Sequence, residues 1–296
     1  MTAQPQRRAP LAPSVGAAIE EATRRLAQAG VLDPRRDARL LIAHAMSAGV
    51  ELLLGHPERE LSDDESQKVA ALVGERETRR PMAQILGRRE FWSREFTVTA
   101  DTLDPRPDSE ALIEAALAHI PERDAELAVL DFGTGTGCLL LALLSELPHA
   151  QGLGIDISMA ACEVARKNAR GLGLESRATF AVGEWGRGVS GNFDVIVTNP
   201  PYIPRSEIAV LEPEVAQFEP RLALDGGEDG LDAYRRLAPD IDRLLARDGI
   251  AAVEIGIGQE VAICGIFDAA RLRPVWQQRD LAGKVRCLVF RKRRES

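Results

Sequence analysis

Cysteine and histidine are scarce, with four of each in 296 residues. The cysteines (Cys138, Cys162, Cys264, Cys287) are scattered and show no Cys-x-x-Cys spacing. That excludes a disulfide framework and points to reduced thiols in a reducing, cytoplasmic compartment. The histidines (His44, His56, His119, His149) lie far apart and pair with no cysteine, so no metal site is expected. No apolar run is long enough to span a bilayer. The first fifteen residues carry Arg7 and Arg8 and no acid, yet hold no apolar signal core; they read as a frayed terminus. Basic residues are outnumbered: 37 Lys and Arg against 45 Asp and Glu leave a net charge of -8. A general binder of duplex nucleic acid needs the opposite balance. There is no internal repeat and no low-complexity block.

What is present is ordinary globular material, 45% hydrophobic and 28% charged, long enough for about two domains. Residues 14–80 read as a helical bundle. Ile19, Ala22, Leu26 and Ala27 recur at helical spacing before Gly30. Asp33-Pro34 starts a second helix with Leu40, Leu41, Ala43 and Ala45 inside. Ser62 with Glu65 three residues on is a capping-box pattern for a third, with Val69, Leu72 and Val73 on one face. No catalytic grouping lies in this stretch. Residues 81–107, with Phe91, Trp92, Phe96 and Val98, predict a β-hairpin linker. Asp108 then reads as the N-cap of a helix to about residue 120, with Glu110 in its first turn. That reading leaves Arg106, between two prolines, without a role.

From residue 125 strands and helices alternate. The strand 128–130 ends in Asp131-Phe132-Gly133-Thr134-Gly135-Thr136-Gly137-Cys138. Glycines at every second position let a ligand approach the backbone, ahead of a helix at 139–147. A dinucleotide fingerprint wants its third glycine where Cys138 stands, which disfavours a nicotinamide-dependent dehydrogenase. An acid ending the strand would repel a pyrophosphate but could hold the amino group of a methionine-type cofactor. The strand 152–156 ends in Asp156, placed to bind the hydroxyls of a ribose. After the strand 178–182, Trp185 could stack on an adenine. The strand 193–198 delivers Asn199-Pro200-Pro201-Tyr202 to its carboxyl end, where open α/β sheets place their ligands. Asn199 brings an amide oxygen, the prolines bring carbonyls and no N–H, and Tyr202 brings a flat ring. Such a set suits a planar substrate that carries an NH2 group. Residues 203–231 form a long irregular segment, read as a substrate-facing wall. A helix at 231–245, a strand at 250–254, a helix at 261–270 and strands at 273–279 and 284–291 complete the chain. The last strand is expected antiparallel at the sheet edge, followed by a basic tail, 291–294.

From about residue 84 onward the chain resembles the HemK/PrmC family of protein-glutamine N5-methyltransferases. The residues that carry the likeness are Ile85-Leu86-Gly87 with Glu90-Phe91-Trp92, 105–110, 131–137, Asp156, 199–202 and 226–231; Asp37-Ala38-Arg39-Leu40-Leu41 also fits. Asp104, Ser109 and Glu184 depart from the family's usual apolar residue, Thr and Asp. The resemblance implies a Rossmann-like, S-adenosylmethionine-dependent methyltransferase with a seven-stranded α/β sheet. It implies a helical substrate-docking domain at 1–80, a hairpin linker at 81–107 and a methyltransferase domain at 108–296. By the same resemblance Gly133, Thr134, Gly135, Thr136 and Gly137 cradle the methionine end of the cofactor, with Asp131 near its amino group. Asp156 holds the ribose and Trp185 lies by the adenine. Asn199, Pro200, Pro201 and Tyr202 receive the glutamine of the Gly-Gly-Gln loop of class I release factors, with Asn199, Pro200 and Tyr202 as the catalytic residues and Asn199 also against the cofactor. A monomer that binds neither DNA nor membrane is expected. Two other readings stand beside it. A DNA adenine-N6 methyltransferase would ask for the same acceptors but also for a basic DNA-reading surface and base flipping. A catalytically inactive methyltransferase-like binding partner would not bind the cofactor.

Overall fold

A computed structural model describes residues 14–280 and 282–293. Arg7, Arg8 and most of the expected frayed terminus lie outside the described residues, as does Arg294. The contacts divide the chain into two units: residues 1–87 with 213–218, and residues 88–212 with 219–296.

The first unit is helical. Ser14 caps α1 (Val15–Gln28), its Oγ accepting from Ala17 N at 3.3 Å, and Asp33 caps α2 (Pro34–Ala45). Two helices of under two turns, too short for periodicity to show in the sequence, α3 (Val50–Gly55) and α5 (Met82–Leu86), flank α4 (Asp63–Glu77), whose capping box of Ser62 and Glu65 is complete; α5 occupies the start of the stretch expected as a hairpin linker. Ile19, Ala22 and Leu26 of α1, Leu41 and Ile42 of α2, and Val69 and Val73 of α4 are buried together. Ala27, expected inside, is exposed, because the stripe 19–22–26 is already one helical face.

The second unit opens with a hairpin, β1 (Arg88–Phe91) and β2 (Arg94–Thr97), in which Phe91 pairs with Arg94. Its two-residue turn, Trp92-Ser93, takes the left-handed conformation at both positions (φ 52° and 54°) without a glycine. A 3-10 turn, Pro107–Ser109, leads into α6 (Glu110–Ala118). Asp108 does not cap this helix. Its carboxylate pairs instead with Arg286 at 2.8 Å, while Glu110 Oε1 accepts from Trp92 N at 2.9 Å. The alternating pattern follows as β3 (Ala128–Phe132), α7 (Cys138–Glu146), β4 (Gln151–Asp156), α8 (Met159–Gly171), β5 (Ala178–Val182) and β6 (Phe193–Thr198). Beyond α9 (Pro213–Phe218) come α10 (Asp232–Leu244), β7 (Leu245–Glu254), α11 (Glu260–Ala269), β8 (Leu272–Arg279) and β9 (Val285–Lys292).

Seven of these strands make one sheet in the order β5-β4-β3-β6-β7-β9-β8, parallel from β5 to β7 and antiparallel beyond. Alternate residues face opposite layers. Val129, Val195, Val197 and Ala252 join the core under α6, α7 and α8, whereas Leu130, Ile196, Ala251 and Val253 join Leu237, Ile241 and Phe267 of α10 and α11. The last strand is antiparallel, as expected, but it is not at the edge. Cys287, Leu288, Val289 and Phe290 are all buried, so β9 needs a neighbour on each side. The edge belongs to β8, where Pro274 cannot donate to a ladder and Trp276 is 51% exposed.

The segment α9 belongs to the first unit by contact. Glu214 takes a bidentate pair from Arg79 (2.7 and 2.6 Å) and a bond from Arg76 at 2.9 Å; Arg76 also donates to Asp37 at 2.8 Å. The side chains of Arg76 and Asp37 are 7% and 9% exposed. Removing one partner of a buried charge pair strands the other. Arg76→Ala should therefore lower the urea stability of the protein by about 3–5 kcal/mol. Arg59→Ala, which breaks a more exposed pair with Glu65, should cost less than about 1 kcal/mol.

Candidate active site

The strand order reverses at β3, with β4 and β5 on one side and β6 and β7 on the other, so the crevice opens at the carboxyl ends of β3, β4 and β6. The glycine loop after β3 is tied to β4: Gly133 N and Thr134 N both donate to Ile155 O, at 2.8 and 3.0 Å. Gly133, Gly135 and Gly137 all take positive φ (68°, 54° and 79°). The first two face a cavity, and a Cβ on either would meet no atom closer than 3.8 Å. At Gly137 the reason is packing, since a Cβ would come within 3.2 Å of Ala165 and Leu141. The loop thus keeps bare backbone where a ligand would lie.

Asp156 closes this loop from β4. Its Oδ2 accepts from Gly135 N and its Oδ1 from Ser158 N, each at 2.9 Å, and its carboxylate lines the cavity. Asp131 is placed differently. It is fully buried behind the loop, its Oδ2 accepting from Thr134 Oγ1 at 2.6 Å while Oδ1 has no partner. Burial pushes its carboxyl up to about 7, against the opposing hydrogen bond from Thr134. Thr134 and Thr136 are buried as well; the Thr136 carbonyl accepts from Asn168 Nδ2 at 2.9 Å. Trp185 lines the cavity at a φ of 50°, its turn pinned where Gly186 N donates to Asp240 of α10 at 3.0 Å.

The cavity, about 520 Å³, is lined by Gly133, Gly135, Asp156, Trp185, Asn199 and Pro201 among others. Asn199 follows β6, and its Nδ2 donates to Ser109 Oγ at 3.2 Å, which leaves Oδ1 as a free acceptor. Pro200 is buried behind it. Tyr202 is half-buried, and burial pushes its phenol up. The irregular segment closes over this turn by backbone contact: Ile203 N donates to Leu224 O, and Gly226 N to Ile203 O. A Cβ on Gly226 would stand 2.9 Å from the Tyr202 Cα, so only glycine fits there. Gln259 Nε2 donates to Tyr202 O at 3.1 Å, locking the same turn from the α11 side.

Arg106, without a role in the sequence, donates to Glu219 Oε1 at 3.2 Å, and Glu219 Oε2 accepts from Asp104 N. Burial holds the Glu219 carboxyl up, at about 7. Two residues of this neighbourhood, Glu254 and Gln259, escaped the sequence reading, and Ser109 stood in it only as a departure from the family's usual Thr. Glu254 had a usable signal. It is an acid that ends an apolar strand, as Asp131 and Asp156 do. Among the described residues no group of three or more His, Cys, Asp or Glu is placed to hold a metal ion.

Residues 17–87 match the model of the PrmC N-terminal domain, and residues 103–226 that of the methyltransferase small domain. The release factor glutamine methyltransferase of Rhodospirillum rubrum is 50% identical over 279 residues, which cover 94% of this chain and 85% of that protein. The chain belongs to the release factor glutamine methyltransferase family. Its relative of the same description from Agrobacterium fabrum is 42% identical over 94% of this chain and 98% of its own length. The first domain match lies within the first structural unit; the second covers part of the second unit together with the 213–218 segment of the first, and takes in the glycine loop, Asp156, Trp185 and the Asn199 turn. Glu254 and Gln259 lie beyond both domain matches.

Proposed function

We propose that this chain transfers the methyl group of S-adenosylmethionine to the side-chain amide nitrogen of the glutamine in the Gly-Gly-Gln loop of class I release factors. The observation that carries the reading is Asn199, which lines the cavity with its Nδ2 committed to Ser109 Oγ and its Oδ1 left over as an acceptor. Family membership supports the same choice. The cavity fits the cofactor on its own chemistry: glycines without Cβ atoms, a strand-end carboxylate and an indole lie along one wall. Gly133 to Gly137 would hold the methionine end, Asp156 the ribose hydroxyls and Trp185 the adenine. When bound, S-adenosylmethionine supplies an electrophilic methyl carbon on a sulfonium.

An amide nitrogen is a poor nucleophile because its lone pair is delocalised into the carbonyl. Asn199 Oδ1 and the Pro200 carbonyl would accept the two N–H bonds and hold them out of line with the incoming methyl, which favours a more tetrahedral nitrogen. Tyr202 would lie against the amide plane. Orientation of this kind supplies much of a transfer rate. The nitrogen sheds one proton as it gains the methyl, and the acidity of an N-protonated amide makes a strong base unnecessary.

The test is an intact-mass assay with S-adenosylmethionine and three acceptors: a release factor, its Gly-Gly-Gln variant with Gln→Ala, and an adenine-containing duplex. One added methyl on the unmutated factor alone is expected. Methyl on the duplex would overturn the substrate, and absence of cofactor binding would favour an inactive partner. The reading includes a monomer at work in the cytoplasm on protein rather than DNA, in keeping with a net charge of -8.

The first unit would dock the body of the factor. Leu32 and Leu54 are exposed there, at 83% and 58%. Leu32→Asp and Leu54→Asp should each raise the KM for the whole factor by roughly ten- to a hundredfold, the worth of one buried leucine contact at about 1.5–3 kcal/mol. The KM for a short Gly-Gly-Gln peptide should stay unchanged. Equal effects on both acceptors would remove the docking role.

A further inference from the structure

A Trp-Gly pair at the centre of a turn ordinarily puts the glycine in the left-handed position, because glycine has no Cβ to clash there. At Trp185-Gly186 the order is reversed. Arg187 N donates to Glu184 O at 3.1 Å, which closes a turn around the two residues. Trp185 takes the left-handed conformation, with φ at 50°, and Gly186 does not. Such a conformation is costly for a residue with a side chain and persists only where the surroundings over-determine it. The surroundings here are one side of α10.

Arg236, Asp240 and Arg243 follow one another at spacings of four and three residues, which aligns them along one side of the helix. All three reach the turn. Arg236 Nη1 donates to Glu184 Oε1 at 3.2 Å. Asp240 Oδ2 accepts from Gly186 N at 3.0 Å, and Arg243 Nη2 donates to Gly186 O at 2.7 Å. Arg243 Nη2 also donates to Asp240 Oδ1 at 2.7 Å, so the ion pair and the two polar atoms of Gly186 form a closed ring. Arg243 Nη1 reaches past the turn to Val189 O at 2.8 Å. Gly186 is buried against this ring, and a Cβ there would stand 2.5 Å from Asp240 Cγ and 2.9 Å from Arg243 Nη2. The glycine is needed for close approach, not for its own dihedral angles. With its N–H and its carbonyl both held, it cannot rotate into the left-handed conformation, and the turn closes with Trp185 there instead. The indole is thereby carried into the cavity, where its Cζ3 lies 3.8 Å from the place a Gly133 Cβ would take.

We propose that Asp240 and Arg243 are positioning residues for the cofactor: their ion pair clamps Gly186, holds Trp185 in its left-handed backbone and so keeps the indole in the cavity as a preformed surface for the adenine. This rests on the cofactor reading above. The clamp acts by population, through Trp185. Without it the turn relaxes to the ordinary form, with the glycine left-handed and the indole withdrawn from Gly133, and binding must first restore the strained form. Affinity then falls by the fraction of molecules that hold the competent form. The methyl-transfer step is unaffected, because the Asn199 turn is held by Ser109 and Gln259 instead.

The experiment reads the S-adenosylmethionine Kd by calorimetry, kcat at saturating cofactor, and the indole N–H signal of Trp185 by nuclear magnetic resonance without ligand, assigned by its absence in Trp185→Phe. Asp240→Ala and Arg243→Ala should each raise Kd by about five- to twentyfold, the cost of rebuilding one strained backbone position. The kcat should change by less than about twofold, since binding alone is lost. The Trp185 signal should move, while those of Trp92 and Trp276 stay in place. Asp240→Asn, which keeps an acceptor for Gly186 N, should recover most of the affinity. Gly186→Ala should reproduce the loss with the carboxylate present, because its Cβ displaces Asp240. Asp242→Ala removes an ion pair of equal length, between the same helix and Arg271, and should leave Kd and the indole signal unchanged. In a Trp185→Ala background Asp240→Ala should cost no further affinity, which a general loss of stability would not give. Undiminished affinity in Asp240→Ala, or a loss of the same size with and without Trp185, would overturn the proposal. A wild type that binds no cofactor would defeat the proposed function and the clamp with it, whereas equal binding by wild type and Asp240→Ala would defeat the clamp alone.

Discussion

Asn199→Ala should reduce methyl transfer to the release-factor glutamine by about 10²–10³-fold, the usual cost of losing one preorganised polar group at a reacting centre. Binding of S-adenosylmethionine, measured by calorimetry, should change by less than about threefold. The asymmetry follows from the geometry. The cavity wall that would hold the cofactor is built from Gly133, Gly135, Asp156 and Trp185, whereas Asn199 stands at the end of β6 with its Oδ1 free. Truncation also removes the partner of Ser109 Oγ, a loss of one neutral hydrogen bond worth about 1 kcal/mol. The fold should persist. Full turnover by this variant would mean that the substrate NH2 is held elsewhere, and the mechanism would fail with it.

Asp156→Ala should act at the opposite step. Each carboxylate oxygen already accepts a backbone N–H, from Gly135 and from Ser158, which leaves further acceptor capacity on a residue that lines the cavity. The substitution loosens the glycine loop and, if Asp156 holds a ribose as proposed, would take away two hydrogen bonds to a charged acceptor. Hydrogen bonds to charged groups contribute about 1.5–3 kcal/mol each, part of which solvent recovers, so the S-adenosylmethionine Kd should rise about 100-fold. At saturating cofactor, kcat should fall by less than about tenfold, because the Asn199 turn is untouched. A matched loss in Kd and kcat for both variants would show that the two residues act as one structural unit rather than on separate ligands.

Most of the site could be read from strand ends alone. Apolar runs such as Phe193–Thr198 and Ala178–Val182 have plain limits in the sequence, and Asn199 after the first and Trp185 after the second stand out beyond them. The misses share a cause: each depends on a partner distant in sequence. Asp108 has the composition of a helix cap, yet Arg286 recruits it from β9, and the helix begins with a 3-10 turn instead. Arg106 between two prolines carries no local signal, because its acceptor Glu219 lies 113 residues on. Gln259 looks like any polar helix start until its bond to the Tyr202 carbonyl is seen. The order of the last two strands turned on burial of both faces of β9, which a run of apolar residues hints at but does not prove.

The helix at Pro213–Phe218 also has a consequence in time. Glu214 is synthesised 138 residues after Arg76. At about 5–20 residues per second that is a delay on the order of ten seconds on the ribosome. The amino-terminal bundle is therefore first to emerge and late to be finished. Strands β3, β4, β5 and β6 have all been made before its last helix exists. Until then the buried guanidinium of Arg76 must do without one of the two carboxylates that neutralise it. The fragment 1–87, expressed alone, stays permanently at that unfinished stage.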